Sequence, residues 1–152
     1  MAKDLPLVFA CSGCSHAGQL ANQLALELDR LGVAQMSCLA GVGAAKRHFL
    51  NRLAERDVWV IEGCPIECSL GVCEQVREHV DVHIRLHQFG LKKNDPPPTD
   101  EAFQRLVAAV LDQVARTGRP DAAQEWAAPR QWRARVAKSA TPCKLLRDAQ
   151  WP

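Results

Sequence analysis

Near its middle the chain reads Val58-Trp-Val-Ile-Glu-Gly-Cys-Pro65. The apolar residues that open this stretch form an unbroken run, which is typical of a central strand buried on both faces of a parallel sheet. Gly63 then marks a turn, and Pro65 suits the first turn of a helix, which we expect at about residues 66–79. The stretch therefore predicts a buried strand that runs into a turn carrying Cys64.

Strands and helices alternate along the chain on both sides of this stretch. Apolar runs and helical periodicity predict strands at residues 5–10, 33–38, 57–61 and 80–86, and helices at residues 16–31, around 49–53, 66–79 and 100–117. Ser15 and Thr99 are suited to cap the first and last of these helices. Short parallel strands joined by helices imply right-handed crossovers and helices on both faces of the sheet. The predicted fold class is therefore α/β: a single three-layer domain with a mostly parallel four-stranded sheet (Rossmann/flavodoxin-like), plus a C-terminal arm.

The composition narrows the classes of protein that need considering. The 152 residues suit one domain, and a net charge of +2 does not point to nucleic acid. No segment approaches the ~20 apolar residues that span a bilayer, so we expect no membrane partner. The N-terminus does not resemble a secretory signal, which predicts a cytoplasmic protein. Thiols stay reduced there, so its cysteines are better interpreted as metal-binding or catalytic than as disulfides.

The last part of the chain departs from this pattern. Residues 119–152 contain seven basic and three acidic residues, three of the four tryptophans and no long apolar stripe. We therefore divide the chain into a metal-binding α/β domain at residues 1–118 and a basic, Trp-containing extension at residues 119–152. Trp126, Trp132 and Trp151 are expected to anchor this arm on its own domain, on a second copy in a homodimer or on a protein partner.

The cysteines are the main candidates for a functional site. Five of the seven follow predicted strands, and they are Cys11, Cys14, Cys38, Cys64 and Cys68. The carboxyl ends of parallel neighbours meet at one edge of a sheet, where such folds bind their ligands. Thiols on several turns at that edge are suited to a soft metal ion or a redox centre.

Several ordered motifs resemble a known family. They are Cys11-Ser-Gly-Cys-Ser15, Gly18-Gln-Leu-Ala-Asn22, Met36-Ser-Cys-Leu-Ala-Gly41, Glu62-Gly-Cys-Pro65 with Cys68, and His83-Ile-Arg-Leu86. Together they are similar to the DGC-domain family, whose members are proposed zinc-binding proteins with no settled activity. The resemblance covers about residues 5–115 and implies a small α/β domain with a cysteine-ligated zinc ion.

Carried over position by position, the resemblance implies that Cys11, Cys38, Cys64 and Cys68 are metal ligands. Cys14 is a fifth candidate. The Asp of the family's Asp-Gly-Cys motif is replaced here by Glu62, which is one methylene longer, so a role assigned to that Asp does not transfer directly.

The chemistry of the thiols leaves three interpretations open. Four thiolates form a tetrahedral zinc site with Zn–S bonds of about 2.3 Å, which would make the chain a structural, regulatory or metal-handling accessory. An iron–sulfur cluster for electron transfer uses the same ligands. Alternatively, a thiol-redox or sulfur-transfer enzyme would use Cys11 with Cys14 or Cys64 with Cys68. The sequence therefore leaves open whether the protein is an enzyme, and it names no catalytic residue.

Other side chains near these turns have weaker claims. Glu62 either accepts hydrogen bonds from loop N–H groups, or supports a metal ligand through its carboxylate, or is a solvated acid at the end of a strand. His16 is more consistent with polar surface than with a metal ligand. His83 and His87 are expected on the wet face of an edge strand, where polar residues keep the edge soluble.

Overall fold

A four-stranded parallel sheet organises the computed structural model, which describes residues 5–11, 13–76 and 78–117. The strands are β1 (Leu7–Ala10), β2 (Gln35–Met36), β3 (Val58–Glu62) and β4 (Val82–Arg85). The helices are α1 (His16–Arg30), α2 (Leu39–Gly43), α3 (Arg47–Leu53), α4 (Cys68–Gln75) and α5 (Asp100–Thr117), with a 3₁₀ helix at Leu86–Phe89. The predicted α/β class is confirmed, and every strand pair in the sheet is parallel.

The strand order is β2-β1-β3-β4. The chain therefore leaves β1 towards one edge of the sheet, forms β2, and then crosses back to form β3 on the other side of β1. Strand order reverses between β1 and β3, which makes the carboxyl ends of these two strands the switch point where such sheets bind ligands. Their pairing places Leu7 opposite Val58 and Ala10 opposite Ile61.

Both faces of the sheet are covered, as expected for a parallel sheet. On one face Leu7, Phe9, Val58 and Val60 join an apolar cluster with residues from α2, α3 and α4. The alternate residues of β1 and β3 point to the other face, and α1 contacts β1, β2 and β3. Trp59, on that alternate register, is 1% exposed. The described residues up to Asp95 thus have the three layers predicted from the sequence.

Helix α1 forms where its caps and apolar spacing predict it. The Ser15 hydroxyl accepts a hydrogen bond from the Gly18 amide at 3.1 Å, which satisfies one of the free N–H groups of the first turn. Leu20, Leu24 and Leu28 are buried along one side of the helix. Gly32 follows in a left-handed conformation with φ of +68°, which glycine adopts without steric cost.

Strand β2 and helix α4 are shorter than the sequence predicts. The run expected at residues 33–38 contributes only Gln35 and Met36 to the sheet. The helix expected at residues 66–79 begins at Cys68 and ends at Gln75, so the prediction of its bounds is wrong. Its start is delayed because Glu67 has a left-handed backbone, with φ of +56°, that a helix cannot include. Pro65 consequently lies in the turn before the helix.

Strand β4 lies at an edge of the sheet, as its alternating pattern predicts. Val82 and Ile84 are buried, whereas His83 and Arg85 on the other face are half-buried. The expected wet face is therefore partly covered, because Glu67 reaches the Arg85 guanidinium and forms an ion pair at 2.5 Å.

The described chain divides into two compact units after Asp95. In the second unit, Thr99 accepts a hydrogen bond from the Ala102 amide at 3.3 Å, and α5 follows. The expected apolar positions Leu106, Val110 and Val114 are buried along it. The predicted arm at residues 119–152 lies outside the described residues, so its boundary and its contacts stay predictions. None of the helices in the described ranges has the length and apolar character needed to cross a membrane.

Candidate functional site

Two buried thiols lie at the carboxyl ends of neighbouring strands. Cys11 directly follows β1, Cys64 lies two residues beyond β3, and each is 7% exposed. β1 and β3 run parallel with Ala10 opposite Ile61, so both turns leave the sheet at the same edge. The Cys11 amide donates a hydrogen bond to the Ile61 carbonyl at 3.1 Å, which extends the strand pairing as far as the first cysteine. Cys11 and Cys64, two of the five predicted site residues, thus lie at the switch point.

The turn after β1 folds back over its own sulfur. A Cβ atom on Gly13 would lie 2.9 Å from Cys11 Sγ, closer than real side chains come. Burial raises the pKa of Cys11, while the Gly13 amide lowers it. Glu62, Cys68 and Cys64 raise the pKa of Cys11 further through the negative charges they carry when ionised. Three of the five predicted cysteines therefore lie close enough to interact electrostatically.

Gly63 lets the turn after β3 pack directly on α1. A Cβ atom at this position would lie 2.4 Å from the carbonyl carbon and oxygen of Ala17 and 2.5 Å from the Gly18 nitrogen. No side chain fits in that space, so the backbone of the turn touches the backbone of the first turn of α1. This contact places Cys64 beside the helix that follows the Cys11 and Cys14 turn.

Cys68 is the first residue of α4 and its side chain is exposed. The residue before it, Glu67, is the N-cap by position but makes no side-chain capping hydrogen bond. Its carboxylate is instead paired with Arg85, which lowers the pKa of Glu67. The ion pair ties the end of the cysteine turn to β4 and engages the Glu67 carboxylate, which makes no hydrogen bond to the free N–H groups of the helix.

Glu62 is the buried carboxyl group of the site. It ends β3 and is 1% exposed, and its Oε1 accepts a hydrogen bond from the Leu70 amide at 2.7 Å. Burial raises the pKa of Glu62, whereas Leu70 and Ser69 lower it. Among the interpretations of Glu62 from the sequence, the acceptor of an N–H group is confirmed and the solvated acid is wrong, while a supporting role for a metal ligand stays a prediction.

Cys38 and Cys14 have different surroundings. Both are exposed. Cys38 is the N-cap of α2, and its Sγ accepts a hydrogen bond from the Gly41 amide at 3.3 Å. Sequence reasoning missed this capping role, although a residue just before Leu39-Ala-Gly-Val-Gly43 is where a cap belongs. Cys14 precedes the cap residue Ser15 of α1.

Within the part of the chain that the structure describes, no three His, Cys, Asp or Glu side chains are placed so that they could hold a metal ion. Six cysteines there are free thiols. The sixth, Cys73, is fully buried in the apolar cluster of α4 and the sheet, and burial raises its pKa to about 11. It therefore behaves as a small apolar side chain rather than as part of the candidate site.

The three histidines considered from the sequence differ in their surroundings. The His16 ring is paired through Nδ1 with the Asp95 carbonyl at 3.0 Å, which fits its interpretation as polar surface. His83 Nε2 and His87 Nδ1 are buried atoms without a hydrogen-bond partner. Burial and the neighbouring Arg85 lower the pKa of His83, which favours its neutral form.

These features define a class of protein: an α/β domain that carries cysteine-bearing turns at the switch point of a parallel sheet. The family model of the DGC domain matches residues 7–110, which is more than half of the chain. This protein belongs to the DGC-domain family, so the resemblance seen in its sequence motifs is confirmed.

A curated relative supports the same assignment. The chain is similar to the "Anaerobic and virulence modulator AnvM" of Pseudomonas aeruginosa, with 46% identity over 90 residues. The match covers 59% of this chain and 69% of the relative. That name describes a modulator and mentions no cofactor. No solved structure matches the chain significantly.

Proposed function

We propose that this protein is a regulatory zinc-binding protein whose metal site is built from the turns after β1 and β3. The observation that carries the proposal is the placement of Cys11 and Cys64 on adjacent strands at the switch point, with Cys68 close enough to act on Cys11. Thiolates are preferred zinc ligands, and the Cys11 and Cys64 sulfurs are already sheltered from water.

The donor set fits a zinc ion in its chemistry. Cys11, Cys64 and Cys68 would supply three sulfurs, and we assign the fourth position to Cys14. Cys38 is the less suitable fourth ligand because its sulfur already caps α2. When bound, the ion would supply positive charge that holds several thiolates together. The exposed residues Cys14 and Cys68 would have to move towards the two buried sulfurs, since the described side chains form no ready metal group.

A regulatory role is the part of the proposal that the relative supports. AnvM is named as a modulator, and the present chain shares 46% identity with it over 90 residues. A site that closes only when metal is bound changes the surface around Cys14 and Cys68, which a partner can recognise. Free thiols in the described chain suit the reducing cytoplasm, where we place the protein.

Elemental analysis of protein purified without added metal tests the proposal. We expect about one zinc ion per chain, with three or four thiols that become reactive only after chelation. Cys64→Ser should lose the metal, whereas Cys73→Ala, which also alters a buried thiol, should retain it. Zinc affinity should fall as pH falls, because protons compete for the thiolates.

Three results would contradict the proposed zinc site. Visible absorbance together with bound iron would instead indicate an iron–sulfur cluster. Protein without metal in which a disulfide oxidant links Cys11 to Cys14, or Cys64 to Cys68, would support the thiol-redox function. Equal zinc content in wild-type protein and Cys64→Ser would place any metal elsewhere.

A further inference from the structure

Glu62 is the one charged residue that is buried among those the structure describes. An ionisable group in such a place costs free energy unless hydrogen bonds compensate for the lost water. An apolar residue would complete β3 equally well, since the four preceding residues of the strand are all apolar and buried. The presence of a carboxyl group at this point therefore calls for a role other than filling the core.

That role is to cap the first turn of α4. A helix begins with free N–H groups that need acceptors, and a side chain at the N-cap usually provides one. In α4 the N-cap residue Glu67 provides none, because its carboxylate is bound to Arg85. Glu62, which lies eight residues before Leu70, provides the acceptor instead: its carboxylate accepts the 2.7 Å hydrogen bond from the Leu70 amide. A carboxyl group also interacts favourably with the positive end of a helix dipole.

The contact closes a loop around two cysteines. The segment between the partners contains Cys64, Pro65, Glu67 and Cys68, and Glu62 joins its two ends. Besides this link, the start of α4 is held by the Glu67–Arg85 ion pair and by the hydrogen bond from the Glu67 amide to the Cys64 carbonyl at 3.3 Å. Neither of these contacts joins α4 to the end of β3, and Pro65 and Ile66 in the turn are exposed. Ile66 is 67% exposed.

We infer that Glu62 is a positioning residue, which sets the separation of Cys64 and Cys68 by capping α4 from the end of β3. The inference rests on the proposed function only in treating these two cysteines as a working pair. The capping itself is a property of the chain without metal, so it can be tested on chelated protein.

The test measures alkylation rates of individual cysteines in reduced, chelated full-length protein by peptide mass spectrometry. Glu62→Met removes the acceptor while keeping the length of the side chain, and it should raise the rate at Cys64 at least tenfold. Glu62→Gln keeps a carbonyl acceptor for the Leu70 amide and should stay within twofold of wild type. Cys73, which is fully buried in the same helix, is the internal control and should change less than twofold in both variants.

Two outcomes would overturn the inference. Equal rates at Cys64 in Glu62→Met and Glu62→Gln would show that the acceptor is not what positions the loop. A parallel rise at Cys73 would indicate general loosening of the core. If Glu62→Met does not fold, Glu62→Asp replaces it, since one methylene fewer withdraws the acceptor by about 1.5 Å while keeping its charge. An unchanged Cys64 rate in Glu62→Asp would count equally against the inference. Zinc content, measured separately in wild-type protein, decides the proposed function.

Discussion

Replacing Gly63 with alanine tests whether the turn after β3 really touches the backbone of α1. The added Cβ atom would lie 2.4 Å from the carbonyl atoms of Ala17 and 2.5 Å from the Gly18 nitrogen. Ordinary contacts begin at 3.4 Å, so the two segments would have to separate by about 1 Å. The atoms in the way belong to the backbone, and no change of rotamer can move them.

We expect Gly63→Ala to lower the free energy of unfolding by about 3 kcal/mol, at the upper end of the cost of overpacking. Such a loss is a large fraction of the 5–15 kcal/mol or so that stabilises a typical domain. Urea unfolding followed by circular dichroism measures the change, because the midpoint should move with little change in slope.

Gly71→Ala is the matched control for this experiment. Gly71 lies inside α4, and a Cβ atom there would meet nothing within 4 Å. Alanine favours a helix over glycine by about 0.5–1 kcal/mol, so this variant should be slightly more stable than wild type. A Gly63→Ala protein that unfolds at the same urea concentration as wild type would refute the close approach of the turn to α1.

Three further predictions concern α1 and the apolar cluster. Leu24→Ala should lower the free energy of unfolding by about 2–5 kcal/mol, because Leu24 is fully buried. Leu26→Ala, at a position 52% exposed, should change it by less than about 1 kcal/mol. Equal losses for the two variants in urea unfolding would contradict the assignment of the buried face of α1. Ser15→Ala should cost about 0.5–2 kcal/mol by the same measurement, and an unchanged midpoint would show that the cap is not formed. The folded protein should keep the Cys73 proton up to a pH of about 11, whereas the unfolded chain loses it near 9. The free energy of unfolding should therefore fall between these pH values, and Cys73→Ala should remove that part of the decline; identical pH profiles would argue against the raised pKa.

The elements that could be predicted from the sequence depend on local signals. Helix α1 has a cap at Ser15, apolar residues at helical spacing and Gly32 at its end, all within its own segment. Strand β3 is an unbroken apolar run, and such a run in an α/β pattern has one suitable place, the centre of the sheet. For these elements the local preference and the tertiary packing agree, so the sequence alone was sufficient.

The start of α4 could not be predicted because its cap is not local. Sequence reasoning placed the start at residue 66, next to Pro65, which suits a first helical turn. The structure instead has a left-handed residue at Glu67 and takes its acceptor from Glu62, at the end of the preceding strand. The ion pair between Glu67 and Arg85 bridges 18 positions. Contacts of this kind appear only after the strands are paired.

The candidate site was predictable in part for the same reason. Since Cys11 and Cys64 follow strands, their common edge follows from the parallel topology that the alternating pattern implies. The capping role of Cys38 was missed, because a thiol is a weak acceptor and is not expected at a cap. The burial of Glu62 was left open because the sequence alone does not show whether a residue at the end of a strand is covered by the following turn.

The cysteines of the proposed zinc site form two pairs, Cys11 with Cys64 and Cys14 with Cys68, and the fold holds the first pair more firmly than the second. Cys11 is fixed by strand pairing, and Cys64 follows a glycine packed against α1, so both sulfurs keep their places with the sheet. Cys14 and Cys68 are exposed at the beginnings of helices, where their side chains can change rotamer without moving the backbone. Metal binding would then draw the exposed cysteines inwards while leaving the strands in place. We propose that this change would be confined to the surface at the switch point, so that a protein partner could distinguish the two states without unfolding of the domain.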